Sequence, residues 1–230
     1  MTRSDGRSTR LSGGLGTFDH RVRTRRGRLR ALLKSGIKWI PDPAVIHAAR
    51  EHMKVFGFAG WSGSGKTVLI ERIIPLLTGR GLEVSLIKRA HHEFEVDVPG
   101  KDSYRHRQAG CREVLISSPV RWAHIHELRG EQEQSLQQLV ERISPCDLLL
   151  IEGFKRAAIP KMEIYRRANA KAPLHPHDPH IVALATDWSL DTALPQFELD
   201  DASGIADFVF SFNFPAEGPS PIRHPRLGDD

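Results

Sequence analysis

The segment that most constrains this chain runs from Gly60 to Thr67 and reads GWSGSGKT. It matches the pattern G-x-x-x-x-G-K-[ST] at every fixed position, and it lies between an apolar run typical of a strand and a segment with helical spacing of apolar residues. In that setting successive backbone N–H groups can turn around phosphate oxygens, and the N-terminus of the following helix adds partial positive charge. The sequence therefore predicts a phosphate-binding loop.

The residue types in the loop suggest individual roles. Glycines at 60, 63 and 65 can adopt backbone angles that are closed to other residues. We expect Lys66 to reach the β- and γ-phosphates of a nucleotide and the Thr67 hydroxyl to bind Mg²⁺. The residues predicted to contact the nucleotide are Gly60, Ser62, Gly63, Ser64, Gly65, Lys66, Thr67, Val68 and Asp187.

Three acidic residues are candidates for contacts to the metal or the base. Glu152 ends the apolar run LLLIE, at the sheet edge where ligands bind in such folds, so it is predicted to act with Lys66 in catalysis and with Thr67 as a Mg²⁺ ligand. Asp97 begins a D-x-x-G pattern that could sense the γ-phosphate, which leaves the choice of metal ligand open. Asp187 ends HIVALATD and could accept both guanine donors, but a helix-capping role is equally open because the usual Asn-Lys-x-Asp pattern is missing.

Predicted strands and helices alternate along the chain, which favours an α/β fold of the P-loop NTPase class, with a mostly parallel twisted sheet and helices on both faces. The run over 147–153 is apolar without alternation, as in a strand covered on both faces. Pro75 is expected to kink or shorten the first helix. Strands are predicted over 54–60, 82–88, 112–118, 121–128, 147–153, 160–167 and 180–187, and helices over 67–78, 131–143 and 200–209.

The chain divides by composition into three parts. Residues 1–52 hold 12 Lys+Arg and 4 Asp+Glu, a local balance of +8, whereas the remainder has a balance of −3. This leader is rich in Gly, Ser, Thr and Arg, so we predict that it is disordered; nucleic-acid binding by a basic arm is the less favoured interpretation. A P-loop GTP-binding domain is predicted over 53–212, followed by a loose tail over 213–230.

The cysteines and the hydropathy of the sequence indicate in which cellular compartment the protein works. The two cysteines, Cys111 and Cys146, lie far apart without metal-type spacing. No apolar run approaches the roughly 18 residues that a membrane helix needs, and no secretory signal is apparent. We therefore expect a cytoplasmic protein without disulfides or membrane association.

Three segments resemble, in order and spacing, the molybdopterin-guanine dinucleotide biosynthesis protein B family, MobB. They are GWSGSGKT, IKRAHHEFEVDVPGKDSYRHRQAG and LLLIEGFKRAAIPKMEIYR. The resemblance as a whole spans roughly 53–187. The resemblance implies a P-loop GTP-binding protein, a homodimer, with weak intrinsic GTP hydrolysis in a late step of molybdenum cofactor synthesis. In that step a partner guanylyltransferase of the MobA type joins GMP to molybdopterin. The resemblance implies that the B protein assists this step by binding GTP, molybdopterin or its guanine dinucleotide form.

The middle segment is the most specific part of the resemblance. Its cationic side chains suit a second anionic ligand, such as the phosphate or dithiolene end of a pterin, although a solvated, salt-bridged surface helix is the alternative. Arg89 stands where a histidine is expected in the family. The resemblance implies that a loop for this second ligand is lined by His91, His92, Asp97, Lys101, Asp102, Tyr104 and Arg105.

A different function class also fits the phosphate loop. Small-molecule kinases begin with the same strand, glycine loop and helix, and they close an arginine-rich lid over the acceptor. The segment YRHRQAGCR could form such a lid. A P-loop phosphotransferase is therefore the alternative to a GTP-binding accessory protein.

Overall fold

The computed structural model describes residues 52–90 and 94–214. The predicted leader, apart from His52, and most of the predicted tail lie outside these residues. The strands are β1 (Lys54–Ala59), β2 (Val84–Lys88), β3 (Glu113–Ser117), β4 (Trp122–His126), β5 (Leu148–Glu152), β6 (Lys161–Tyr165), β7 (Ile181–Thr186) and β8 (Gln196–Glu198). The helices are α1 (Lys66–Thr78), α2 (Asp102–Gln108), α3 (Leu136–Arg142) and α4 (Ala202–Ser211), with short 3₁₀ helices at Arg167–Asn169 and His175–His177.

Within the described residues, six strands form one sheet in the order β2-β5-β1-β6-β7-β8, and every neighbouring pair is parallel. Strands β3 and β4 form a separate antiparallel hairpin. The predicted α/β class with a parallel sheet is confirmed. In the register of β2 with β5, Lys88 lies beside Glu152, so both residues reach the same carboxyl edge of the sheet.

Helices cover both faces of the sheet, as predicted. Alternate side chains of β1 and β5 point to opposite faces, which explains why neither strand alternates in polarity. Phe56 and Leu150 pack with α1 and α4 on one face. Val55 and Leu149 pack against α3 on the other.

Helix boundaries differ from the predictions where capping decides them. Helix α3 begins after Ser135 rather than at 131, because Ser135 and Gln138 form a capping box with reciprocal side-chain-to-backbone hydrogen bonds. Helix α1 continues through Pro75 to Thr78, so the prediction that Pro75 would shorten it is wrong. Strand β8 has three residues and was not predicted from the sequence pattern. No helix in the described ranges is both long and apolar enough to cross a membrane.

Candidate functional site

The phosphate loop joins β1 to α1, and its three glycines have positive φ angles of 146°, 76° and 95° at positions 60, 63 and 65. A Cβ at Gly60 would lie 2.4 Å from the Ile164 carbonyl oxygen, so the loop packs directly on the backbone of β6. Gly65 precedes α1, and among the described residues no side chain caps this helix end. The first-turn N–H groups of α1 are therefore suited to an anionic ligand.

Two side chains of the loop point to ligand binding. The Lys66 ammonium group donates to the carbonyl oxygens of Gly60 and Trp61, at 2.9 Å each, and so lies across the loop. Burial lowers the pKa of Lys66; the charge of Glu152 opposes this effect, whereas nearby lysines add to it. The Ser64 hydroxyl is buried and has no hydrogen-bond partner among the described residues.

Three groups meet next to the loop, at the carboxyl edge of the sheet. The Thr67 hydroxyl donates to Glu152 Oε1 at 2.7 Å. The Lys88 ammonium lies 3.3 Å from Thr67 Oγ1 and 3.5 Å from Glu152 Oε2. Glu152 is buried, with only 5% of its surface exposed. A hydroxyl and a carboxylate at this separation are hard oxygen donors of the kind that Mg²⁺ takes beside nucleotide phosphates, so the residues fit the predicted metal.

An open cleft of about 440 Å³ leads from the loop to the end of β7, and Ser64, Gly65, Val68 and Asp187 are among its lining residues. Asp187 Oδ1 accepts a hydrogen bond from the Arg167 backbone N–H at 2.9 Å, so Asp187 caps the 3₁₀ helix that follows β6. This contact reaches a segment 20 residues earlier in the chain, so it is not the local helix cap weighed from the sequence, and the guanine contact of Asp187 stays a prediction. The other carboxylate oxygen lies 3.9 Å from the Arg166 guanidinium group.

The connection between β6 and β7 contacts the phosphate loop, and sequence reasoning missed it. The Asn169 amide donates to the Ser62 carbonyl oxygen at 3.3 Å, and the Trp61 indole donates to the Ala172 carbonyl oxygen at 2.9 Å. Lys155 stacks over the Trp61 ring at 4.7 Å. Such contacts between distant segments leave no periodic signal in the sequence.

Two buried charges on β6 hold this connection in place. The Lys161 ammonium pairs with Asp178 at 2.8 Å and is 1% exposed. Burial lowers the pKa of Lys161, and Asp178 opposes that shift. Glu163 is fully buried and accepts hydrogen bonds from the backbone N–H groups of Leu174 and His175 at 2.7 and 2.9 Å. The crossover beside the loop is therefore anchored to the sheet by satisfied buried charges.

Of the residues predicted to bind a second ligand, His91 and His92 lie outside the described residues. The others lie in two different places. The Asp97 carboxylate accepts from the Arg107 guanidinium at 2.6 Å, and this hydrogen bond is the main reason that the pKa of Asp97 is lowered. Asp102, Tyr104 and Arg105 instead line an open cavity of about 580 Å³ along α2. Lys101 lies directly before this helix.

Arg107 links three segments at this place. Its guanidinium group also donates to Glu95 and Glu127, so α2 is tied to the extended segment before it and to the residue after β4. Arg89 is engaged too, through two hydrogen bonds of 2.9 and 2.8 Å to Glu133. Both arginines therefore have carboxylate partners in the folded chain.

A parallel sheet with a phosphate loop between β1 and α1 and an acidic residue at the end of a neighbouring strand defines a P-loop NTPase-like fold. The model of one protein family, described as molybdopterin guanine dinucleotide synthesis protein B, matches residues 55–187. The chain belongs to this family, MobB.

Relatives and solved structures agree with this assignment. A molybdopterin-guanine dinucleotide biosynthesis adapter protein of Escherichia coli (strain K12) is 40% identical over 165 residues, which cover 70% of this chain and 94% of the relative. A protein of the same name from Haemophilus influenzae is 38% identical over 157 residues, covering 67% and 86%. A crystal structure of molybdopterin-guanine biosynthesis protein B aligns with a TM-score of 0.55 and 31% identity, covering 68% of this chain and 97% of that one. The crystal structure of Bacillus subtilis MobB aligns with a TM-score of 0.56 and 27% identity, covering 69% of this chain and 96% of that one.

Proposed function

We propose that this chain is a cytoplasmic GTP-binding accessory protein in molybdenum cofactor biosynthesis, which assists the attachment of GMP to molybdopterin. Two relatives that the chain matches over two thirds of its length carry the name of adapter proteins in that process. The observation that carries the nucleotide-binding part is the 2.7 Å contact between Thr67 and the buried Glu152, directly after a glycine loop crossed by the Lys66 ammonium group.

The phosphates would bind to the N–H groups of the loop and the first turn of α1. Lys66 would exchange its two carbonyl partners for phosphate oxygens, and the Ser64 hydroxyl would gain a partner in the same loop. Thr67 and Glu152 would hold Mg²⁺, directly or through water. The ion, when bound, neutralises charge on the terminal phosphates.

The base would lie in the cleft toward β7. Asp187 uses one lone pair on the Arg167 N–H, and a carboxylate has further acceptor sites for the two guanine donors. Beside it the Arg167 guanidinium group stacks over the Trp188 ring at 3.9 Å, which provides a flat surface next to a purine.

Intrinsic hydrolysis would be slow. Glu152 is engaged by Thr67 and Lys88, and so it holds the metal position instead of orienting an attacking water molecule. Fast GTP hydrolysis by the purified protein would contradict this part of the proposal. The kinase alternative is less well supported, because Arg107 of the candidate lid segment is fixed by three carboxylates.

The second ligand would be molybdopterin or its guanine dinucleotide form, bound with its anionic end near Arg105 in the cavity along α2. A MobA-type guanylyltransferase would be the protein partner. These assignments rest on the family and on the positive charge of this segment, and a pterin titration with Arg105→Ala would test them. Affinity that is unchanged by the substitution would contradict the location.

A homodimer would cover the apolar residues of the β3–β4 hairpin. Leu115 and Trp122 lie on one face of the hairpin and are 66% and 68% exposed, and Val120 at its turn is 83% exposed. Single apolar residues are common on surfaces, but several exposed apolar residues on one hairpin support an interface there. Sedimentation velocity should show a dimer that Trp122→Arg converts to a monomer; a monomeric wild-type protein would contradict it.

Calorimetry with Mg²⁺ and either GTP or ATP tests the base assignment. The wild-type protein should prefer GTP, and Asp187→Ala should lose the preference while it still binds triphosphate. Asp191→Ala, which removes an exposed carboxylate in the next segment, is the matched control. An undiminished preference for GTP in Asp187→Ala would remove Asp187 from the site.

A further inference from the structure

An ammonium group lies where the metal of a P-loop protein would be expected. Lys88 Nζ is 3.3 Å from Thr67 Oγ1 and 3.5 Å from Glu152 Oε2, the two groups that fit Mg²⁺. Thr67 donates its one proton to Glu152 and accepts from Lys88, so the three groups form a closed set. The Lys88 ammonium group therefore has the position and the positive charge that a metal ion would have beside Thr67 and Glu152.

The backbone fixes this arrangement as well as the side chains do. Lys88 is the last residue of β2 and Glu152 the last of β5, and the two are partners in the parallel register. Glu152 has a side chain that is only 6% exposed, whereas the Lys88 side chain is 51% exposed. The carboxylate is therefore held in place, and the lysine end has room to move.

We propose that Lys88 is an internal cation of the nucleotide site, which keeps Thr67 and Glu152 in metal-binding geometry before the nucleotide arrives and turns onto its terminal phosphates when Mg²⁺ takes its place. This inference rests on the proposed nucleotide binding. Its consequence is that nucleotide affinity depends only weakly on Mg²⁺, because Lys88 offsets the charge of Glu152 when the metal is absent.

Removal of Lys88 should change the affinity for metal-free GTP and the affinity for a divalent cation in opposite directions. Without the ammonium group, the buried carboxylate faces the negative triphosphate, so affinity for metal-free GTP should fall strongly. The same carboxylate, now without its nearby cation, should bind a divalent cation more tightly in the nucleotide-free protein. A merely structural role for Lys88 would weaken both.

The experiment measures the ratio of the GTP dissociation constants in EDTA and in excess Mg²⁺, by calorimetry on the full chain. The ratio should rise at least about tenfold in Lys88→Met. Lys54→Met is the control: it removes an ammonium group from the first residue of β1, at the opposite end of that strand from the phosphate loop, so its ratio should stay that of the wild type. An unchanged ratio in Lys88→Met overturns the inference, whereas absence of GTP binding by the wild type in Mg²⁺ overturns the proposed function itself.

A second measurement does not involve nucleotide. Binding of Mn²⁺ to the nucleotide-free protein, followed by electron paramagnetic resonance, should be at least about tenfold tighter in Lys88→Met than in the wild type. Equal or weaker Mn²⁺ binding overturns the inference. Lys88→Gln, which keeps a polar end at the strand terminus, should give both results if Lys88→Met proves unstable by thermal unfolding.

Discussion

Substitution of Gly60 by alanine should destabilise the folded chain more than the same substitution at a glycine that has a positive φ angle but open space where the Cβ would lie. The new Cβ would lie 2.4 Å from the Ile164 carbonyl oxygen and 2.8 Å from Ser64 Oγ, at a φ of 146°. The φ angle alone costs about 1–3 kcal/mol. Displacement of the β6 backbone adds about 1–3 kcal/mol, as in other overpacked sites. We therefore expect a loss of about 2–6 kcal/mol from the free energy of unfolding, together with the loss of GTP binding.

Gly81→Ala is the matched control for this prediction. Gly81 also has a positive φ, of 84°, but a Cβ there would meet no heavy atom within 4 Å in the described part of the chain. Urea unfolding of both variants should show that Gly60→Ala loses at least about 1 kcal/mol more than Gly81→Ala, because of these two sites Gly60 alone combines a strained φ angle with a steric clash. Equal losses would refute the reasoning that the phosphate loop packs directly on β6.

Two further predictions concern buried charges. Asp178→Ala should lower the free energy of unfolding by about 3–5 kcal/mol because it leaves the Lys161 ammonium buried without its carboxylate partner, whereas the double substitution Asp178→Ala with Lys161→Met should be nearly neutral; chemical unfolding checks both, and equal losses would contradict the account. The pKa of Asp97 is lower in the folded chain than its ordinary 3.8, so its pairing with Arg107 stabilises the fold at neutral pH and is lost as pH falls through the folded value. Asp97→Asn should therefore reduce the loss of thermal stability as the pH falls below about 4, and an unchanged acid profile would contradict this.

Residues that belong to a local pattern were predictable from the sequence. The phosphate loop follows a strand and precedes a helix, so its place between β1 and α1 could be predicted with the roles of its glycines. Glu152 and Asp187 each follow an apolar run, and parallel strands bring such positions to one edge of a sheet. Whether Glu152 contacts the metal and Asp187 the base stays a prediction.

The remaining parts depend on contacts between distant segments. Asp97 has the spacing of a phosphate sensor, but in the structure its carboxylate accepts hydrogen bonds from Arg107. Sequence spacing alone could not tell these two roles of Asp97 apart. The pairing of Lys88 with Glu152 follows from strand order, because β5 lies between β2 and β1 although it comes later in the chain. The contacts of the β6–β7 connection with the phosphate loop require the folded crossover and could not be read from composition.

The most direct test of this account is calorimetric titration of the full chain with Mg²⁺–GTP. We predict saturable binding of one nucleotide per chain, which Lys66→Ala abolishes and Lys54→Ala, at the opposite end of β1, leaves unchanged. Failure of the wild-type protein to take up any magnesium nucleoside triphosphate would contradict the central claim, and so would equal uptake by Lys66→Ala.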